Sequence, residues 1–185
     1  NFFVLGVPKC GTTSIAGYLA AHRDIFISDP KELNYLARSL SVPGGFLSRQ
    51  AWHTDGEEWL RLFAAAKPGV KAVGEGSTRY LRCKAALIQI KPRFSHAKLI
   101  VCLRNPADLA ESWHSQIFWE GQEDQNDFEL AWRLQAARAA GEVPLPPGLE
   151  EYDALEYDAR RVGRKPTGHC AEDVRPRAGP HRVSR

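Results

Sequence analysis

A lysine inside a glycine-bounded turn, two threonines behind it, an arginine at a strand end and a Lys-Glu pair are the residues here that could do chemistry. The turn is Gly6-Val7-Pro8-Lys9-Cys10-Gly11-Thr12-Thr13. The apolar run Phe2-Phe3-Val4-Leu5 precedes it, and Ile15, Tyr18, Leu19 and His22 follow at helical spacing. A glycine turn between strand and helix brings backbone N–H groups close to an anion, and the helix N-terminus adds about 0.3–1 kcal/mol of attraction. Pro8 stiffens the turn, Lys9 brings a cation, and Thr12 and Thr13 bring hydroxyl donors. Gly6 and Gly11 have the spacing of an NTPase phosphate loop, but that motif puts lysine directly after its second glycine, where Thr12 stands here. Such a loop suits one phosphate with a neighbouring transferable group better than a metal-bound triphosphate.

Strands and helices must position these groups. Phe2–Leu5 reads as a parallel strand buried on both faces. Ile25-Phe26-Ile27 restarts an extended segment, and Lys31-Glu32 follows it. Residues 38–56 read as a loop or insertion, and a short helix from about Glu57 to Ala66 carries Trp59, Leu60 and Phe63 on one face. Val70 to Gly74 reads as a third strand. Lys98 to Leu103 is the strongest strand signal and ends at Arg104, a planar donor fork suited to phosphate. Asn105-Pro106 then caps a helix running to about Phe118, with Ser112 two turns in. Asp127 caps another helix. This alternation predicts an α/β fold of P-loop-like, three-layer type, with helices flanking a central parallel sheet.

Pro8 to Thr13 resembles, through all six positions, the Pro-Lys-x-Gly-Thr-Thr loop of sulfotransferases that use 3′-phosphoadenosine 5′-phosphosulfate. The resemblance extends to a second signature, the strand-end Arg104 with Ser112 eight positions later, and covers roughly residues 2–150. It also takes in Lys31-Glu32 and Gly74-Glu75-Gly76-Ser77-Thr78-Arg79-Tyr80. The segments 114–118 and 127–133 look most like bacterial members of unassigned acceptor specificity. The resemblance implies that Pro8, Lys9, Cys10, Gly11, Thr12 and Thr13 bind the 5′-phosphosulfate, and that Arg104 and Ser112 bind the 3′-phosphate. Lys9 then stabilises leaving-group charge, and no metal is required. Family members acting on heparan carry a lysine just after the third-strand glutamate. Gly76 stands there, which argues against a heparan-type acceptor.

Sulfuryl transfer needs a group that removes the acceptor's proton. In the carbohydrate enzymes of the resembling family a Lys-Glu glutamate does so, which makes Glu32 the candidate base; Glu75 and His114 are weaker ones. The acceptor expected is a small molecule or carbohydrate bearing a hydroxyl or amine. A nucleotide kinase or NTPase is the rival reading, and predicts magnesium dependence and a lysine beside Thr12. A non-catalytic nucleotide-binding fragment is the third. Cys10, at a helix N-terminus, is either an activated thiol or a small residue at a variable loop position. Trp52, Trp59, Trp113, Phe118 and Trp119 belong either to the core or to an acceptor pocket.

Composition limits the remaining choices. The chain has 185 residues, 43% of them hydrophobic, enough for one domain core. The apolar runs are far too short to span a membrane. Cysteines at 10, 83, 102 and 170 are widely spaced, without the pairing of a zinc site or disulfide framework. The basic excess sits at the end: residues 159–185 hold eight Lys or Arg against two acids. The body is thus slightly acidic, and no nucleic-acid partner is expected. The division predicted is a sulfotransferase domain over 1–158 and a disordered basic tail over 159–185, which reads as an out-of-frame or mispredicted coding end. On that reading the chain binds its cofactor weakly and transfers little. It starts at Asn1 inside an apolar run and is read as a fragment of a cytoplasmic protein.

Overall fold

The computed structural model describes residues 1–40 and 56–149, with Leu155 and Tyr157 beyond them. Trp52, Cys170, most of the 38–56 segment and the 159–185 tail lie outside the described residues. Strand β1 (Phe2–Gly6) is buried along its whole length, as its unbroken apolar run predicts. It lies between β3 (Ala72–Gly76) and β4 (Lys98–Cys102), with β2 (Ile25–Ile27) outside β3, and every pair is parallel. From β1 the chain goes to β2 and β3 on one side, then crosses to β4 on the other. Ligand crevices in open α/β sheets form at such a reversal, outside the carboxyl ends of the strands. Register brings Gly6 opposite Cys102, so the glycine turn and the residues after β4 share that edge.

Helix α1 (Thr12–Ala20) follows the turn, and α2 (Gly56–Arg61) runs on into a 3-10 turn at Leu62–Ala65. Trp59 and Phe63, four residues apart, share its inner face, whereas Leu60 is 58% exposed and does not join them. The third strand begins two residues later than its apolar pattern suggests. Helices α3 (Arg79–Arg82) and α4 (Lys84–Arg93) fill a stretch where patterning gives no element. The expected caps hold: Asn105 accepts from the Ala107 amide at 2.9 Å to start α5 (Pro106–Trp119), and Asp127 accepts from Leu130 at 2.8 Å to start α6 (Phe128–Ala139).

One core cluster joins Phe3 and Leu5 of β1 to Leu33, Leu36, Trp59, Tyr80 and Ile90. A second joins Ala110 and Ile117 of α5 to Ala131, Leu155 and Tyr157. Beside it, Arg138 donates to both carboxylate oxygens of Glu123 at 2.8 Å, with the two side chains 1% and 0% exposed. Burial alone would raise the Glu123 carboxyl, but Arg138 and the Tyr157 hydroxyl hold it down at about 2. Leu99 and Val101, two residues apart and so on one face of the edge strand β4, are 49% and 46% exposed.

Candidate active site at the strand ends

The glycine turn closes tightly. A Cβ on Gly6 would lie 2.8 Å from Thr12 Cγ2 and 2.9 Å from the Cys102 carbonyl oxygen, so position 6 admits only glycine. Lys9 and Gly11 both adopt positive φ, 68° and 81°. For a lysine that conformation costs on the order of 1–3 kcal/mol, and strain of this kind gathers at binding sites. Gly11 brings no side chain to cap α1, whose first amides have no acceptor within the helix. A tight turn opening on such amides is the cradle an anionic phosphate requires, so the loop fits the phosphosulfate end of the expected nucleotide. Thr13 is exposed and Pro8 half-buried.

Arg104, two residues past β4, donates to the Lys9 carbonyl at 3.1 Å and so braces the loop from the neighbouring strand. Lys9 Nζ donates to Gln116 Oε1 on α5 at 3.0 Å. Ser112 is half-buried and stands four residues before Gln116 on the same helix, hence on the same face. Loop, Arg104 and the Ser112 face of α5 therefore converge. Gln116 lies in the 114–118 segment, which pointed to the family but gave this residue no role; its position one turn after Ser112 places it at the site.

Glu32 arrives from the other side. Its segment is pinned from the β3–α3 turn: the Asn34 amide donates to Ser77 Oγ at 3.0 Å, and the Leu36 amide to the Tyr80 hydroxyl at 3.2 Å. Glu32 Oε2 accepts from the Thr78 amide at 2.9 Å and from Thr78 Oγ1 at 2.5 Å. Its other oxygen, Oε1, accepts from Lys31 Nζ at 2.7 Å, and Lys31 Nζ also donates to Thr12 Oγ1 at 3.2 Å. The Lys-Glu pair thus reaches the phosphate loop directly.

The weaker base candidates are elsewhere. His114 is buried among Phe118, Phe128 and Tyr157, and its Nε2–H donates to the Gln125 carbonyl at 2.8 Å, so that nitrogen has no lone pair to offer. Glu75 is 1% exposed and accepts from Trp59 Nε1 at 2.7 Å. Burial drives its carboxyl up to about 7, against hydrogen bonds from Tyr80, Trp59 and Ser77. The folded state therefore holds a proton that the unfolded chain releases between about 4.5 and 7. Stability is then highest at the acid side and falls as pH rises through that window, by on the order of 3 kcal/mol. Glu75→Gln is expected to flatten this part of the pH profile, as thermal melts between those limits would show.

Trp59 stacks on Tyr35 inside the first core cluster, and Trp113 packs against the second. Trp119 is 83% exposed. Burial raises the Cys10 thiol, with the nearby Cys102 adding to the effect, so the loop does not activate it. Among the described residues no three His, Cys, Asp or Glu side chains gather as a metal site, and no helix is long and apolar enough to cross a membrane.

Known proteins resemble this chain in sequence and in fold. Residues 1–144 match the family described as "Sulfotransferase domain". A Caenorhabditis briggsae protein, "Bifunctional heparan sulfate N-deacetylase/N-sulfotransferase 1", is 26% identical over 122 residues, covering 64% of this chain and 13% of its own length. The "Membrane-associated sulfotransferase kil1" of Dictyostelium discoideum is 27% identical over 123 residues, covering 64% of this chain and 23% of its own. This chain therefore spans less than a quarter of either relative. The crystal structure of a sulfotransferase from Alicyclobacillus acidocaldarius superposes with a TM-score of 0.68 at 27% identity, covering 88% of this chain and 63% of that one.

Proposed function

The chain belongs to the sulfotransferase family, and from that premise we propose that it transfers a sulfuryl group from 3′-phosphoadenosine 5′-phosphosulfate to a carbohydrate hydroxyl or amine. The observation that carries the reading is the convergence of three distant motifs, with Lys9 braced by Arg104 and Thr12 joined through Lys31 to Glu32. Bound there, the nucleotide supplies the sulfuryl group and the phosphate that leaves. The loop amides and Lys9 oppose the negative charge that grows on the loop side. Arg104 and Ser112 hold the 3′-phosphate. Glu32, its Oε2 fixed by Thr78 and one lone pair of Oε1 engaged by Lys31, offers the other lone pair of Oε1 to the acceptor's proton. Holding donor and acceptor in line between loop and base supplies the rest by orientation. The carbohydrate class is supported by the heparan sulfate enzymes among the relatives. A kinase reading lacks its lysine, since Thr12 stands in that place.

Transfer of labelled sulfate from the donor to a panel of amino and neutral oligosaccharides, with protein in excess, tests the proposal. Label on a sugar hydroxyl or amine supports it; phosphate transfer from ATP instead would overturn it. The nucleotide half has its own test. Arg104→Ala is expected to weaken binding of 3′-phosphoadenosine 5′-phosphate by about 1.5–3 kcal/mol, the range for a hydrogen bond to a charged group. Affinity for the same nucleotide without its 3′-phosphate should scarcely change. Equal losses for both ligands in calorimetry would leave Arg104 only its bracing contact to Lys9.

A further inference from the structure

The Lys-Glu motif assigns a role only to its glutamate, yet Lys31 is the side chain that physically joins the two halves of the site. Its Nζ lies 3.2 Å from Thr12 Oγ1 on the phosphate loop and 2.7 Å from Glu32 Oε1. The base oxygen and the loop hydroxyl can therefore be no further apart than those two contacts together. Gly76 makes room for it: a Cβ there would lie 3.2 Å from Lys31 Cε and 3.7 Å from Val4 Cβ, so any larger residue would crowd the lysine stem. The side chain is only 17% exposed, so the ammonium is held rather than free to wander.

Position then defines what this cation meets. In an in-line transfer the moving group lies between the site that holds the leaving phosphate and the base that takes the acceptor's proton. Lys31 Nζ touches one atom at each end of that line, Thr12 and Glu32. These two take two of its three N–H donors. Resting on the sulfotransferase reading, we propose that Lys31 recognises the sulfuryl end of the donor. It is the residue that makes this site prefer a phosphosulfate over a bare phosphate. Lys9, tethered to Gln116 on α5, serves the other side of the loop.

Calorimetric titration of the 185-residue chain with two nucleotides tests this without an acceptor. The probes are 3′-phosphoadenosine 5′-phosphosulfate and 3′-phosphoadenosine 5′-phosphate, which differ by the sulfuryl group. Lys31→Met keeps the stem that lies on Gly76 and removes the charge. It is expected to lose about tenfold or more in affinity for the phosphosulfate and less than about threefold for the bisphosphate. Lys31→Arg, which keeps the charge, should retain most of the preference. Should the methionine variant not fold, Lys31→Gln carries the same comparison. Equal losses for both nucleotides, or none, would overturn the role of Lys31 while leaving the sulfotransferase reading intact. A parent chain that binds neither nucleotide would overturn both.

Discussion

Glu32→Gln is expected to lower sulfuryl transfer by about two to four orders of magnitude, the contribution of a positioned general base, with binding of 3′-phosphoadenosine 5′-phosphate retained. Glutamine keeps the shape of the side chain but has one acceptor oxygen where the carboxylate has two, so it can serve Lys31 or the Thr78 amide and not both. What disappears is the basicity of the carboxylate at Oε1, the oxygen that faces Lys31. Single-turnover transfer with protein in excess over labelled donor separates the two effects. Unchanged transfer would remove Glu32 from the mechanism. Neither sequence rival is an easy replacement, because Glu75 sits in the core against Trp59 and the Nε2 of His114 is spent on the Gln125 carbonyl.

Lys9→Ala has the second large effect. Lys9 sits in a left-handed turn, its carbonyl braced by Arg104 and its ammonium held by Gln116. A contact that strengthens as charge grows on the leaving oxygen acts on turnover more than on affinity. Loss of one such donor costs about 10²–10³ in rate. Transfer should fall by that factor, with a much smaller change in nucleotide affinity from calorimetry. If both fall together, Lys9 binds the ground state and the transition state alike. Gln116→Ala, which frees the lysine tip but leaves its charge, separates tethering from charge: a large loss there would show that Gln116 positions Lys9.

What could be read in the sequence was written locally. The glycine turn, the Asn105-Pro106 start of α5 and the Asp127 cap of α6 each depend on a few adjacent residues with fixed backbone preferences. The buried run of β1 announced itself in the same way. Arg104 was singled out because it follows the strongest strand signal in the chain and has Ser112 eight positions later.

The partners across the site were not legible. Gln116, Thr78 and Lys31 meet Lys9, Glu32 and Thr12 only because parallel strand order and register bring those segments to one edge. Nothing in their own spacing predicts this. Helix α4 escaped because Lys84, Lys91, Pro92 and Arg93 leave little apolar periodicity, although Ala86 and Ile90 still reach the core. Leu60 misled for the opposite reason. It is an apolar residue beside a buried tryptophan, turned about 100° away by the helix itself.

Every step proposed above depends on the strand-end loop and Arg104 holding a 3′-phosphorylated nucleotide. Titration of the chain with 3′-phosphoadenosine 5′-phosphate in metal-free buffer, against ATP with magnesium, measures it most directly. Saturable binding of the bisphosphate without added metal, tighter than that of ATP with magnesium, is expected. Tighter binding of magnesium ATP, or equal affinity for nucleotides with and without the 3′-phosphate, would contradict it.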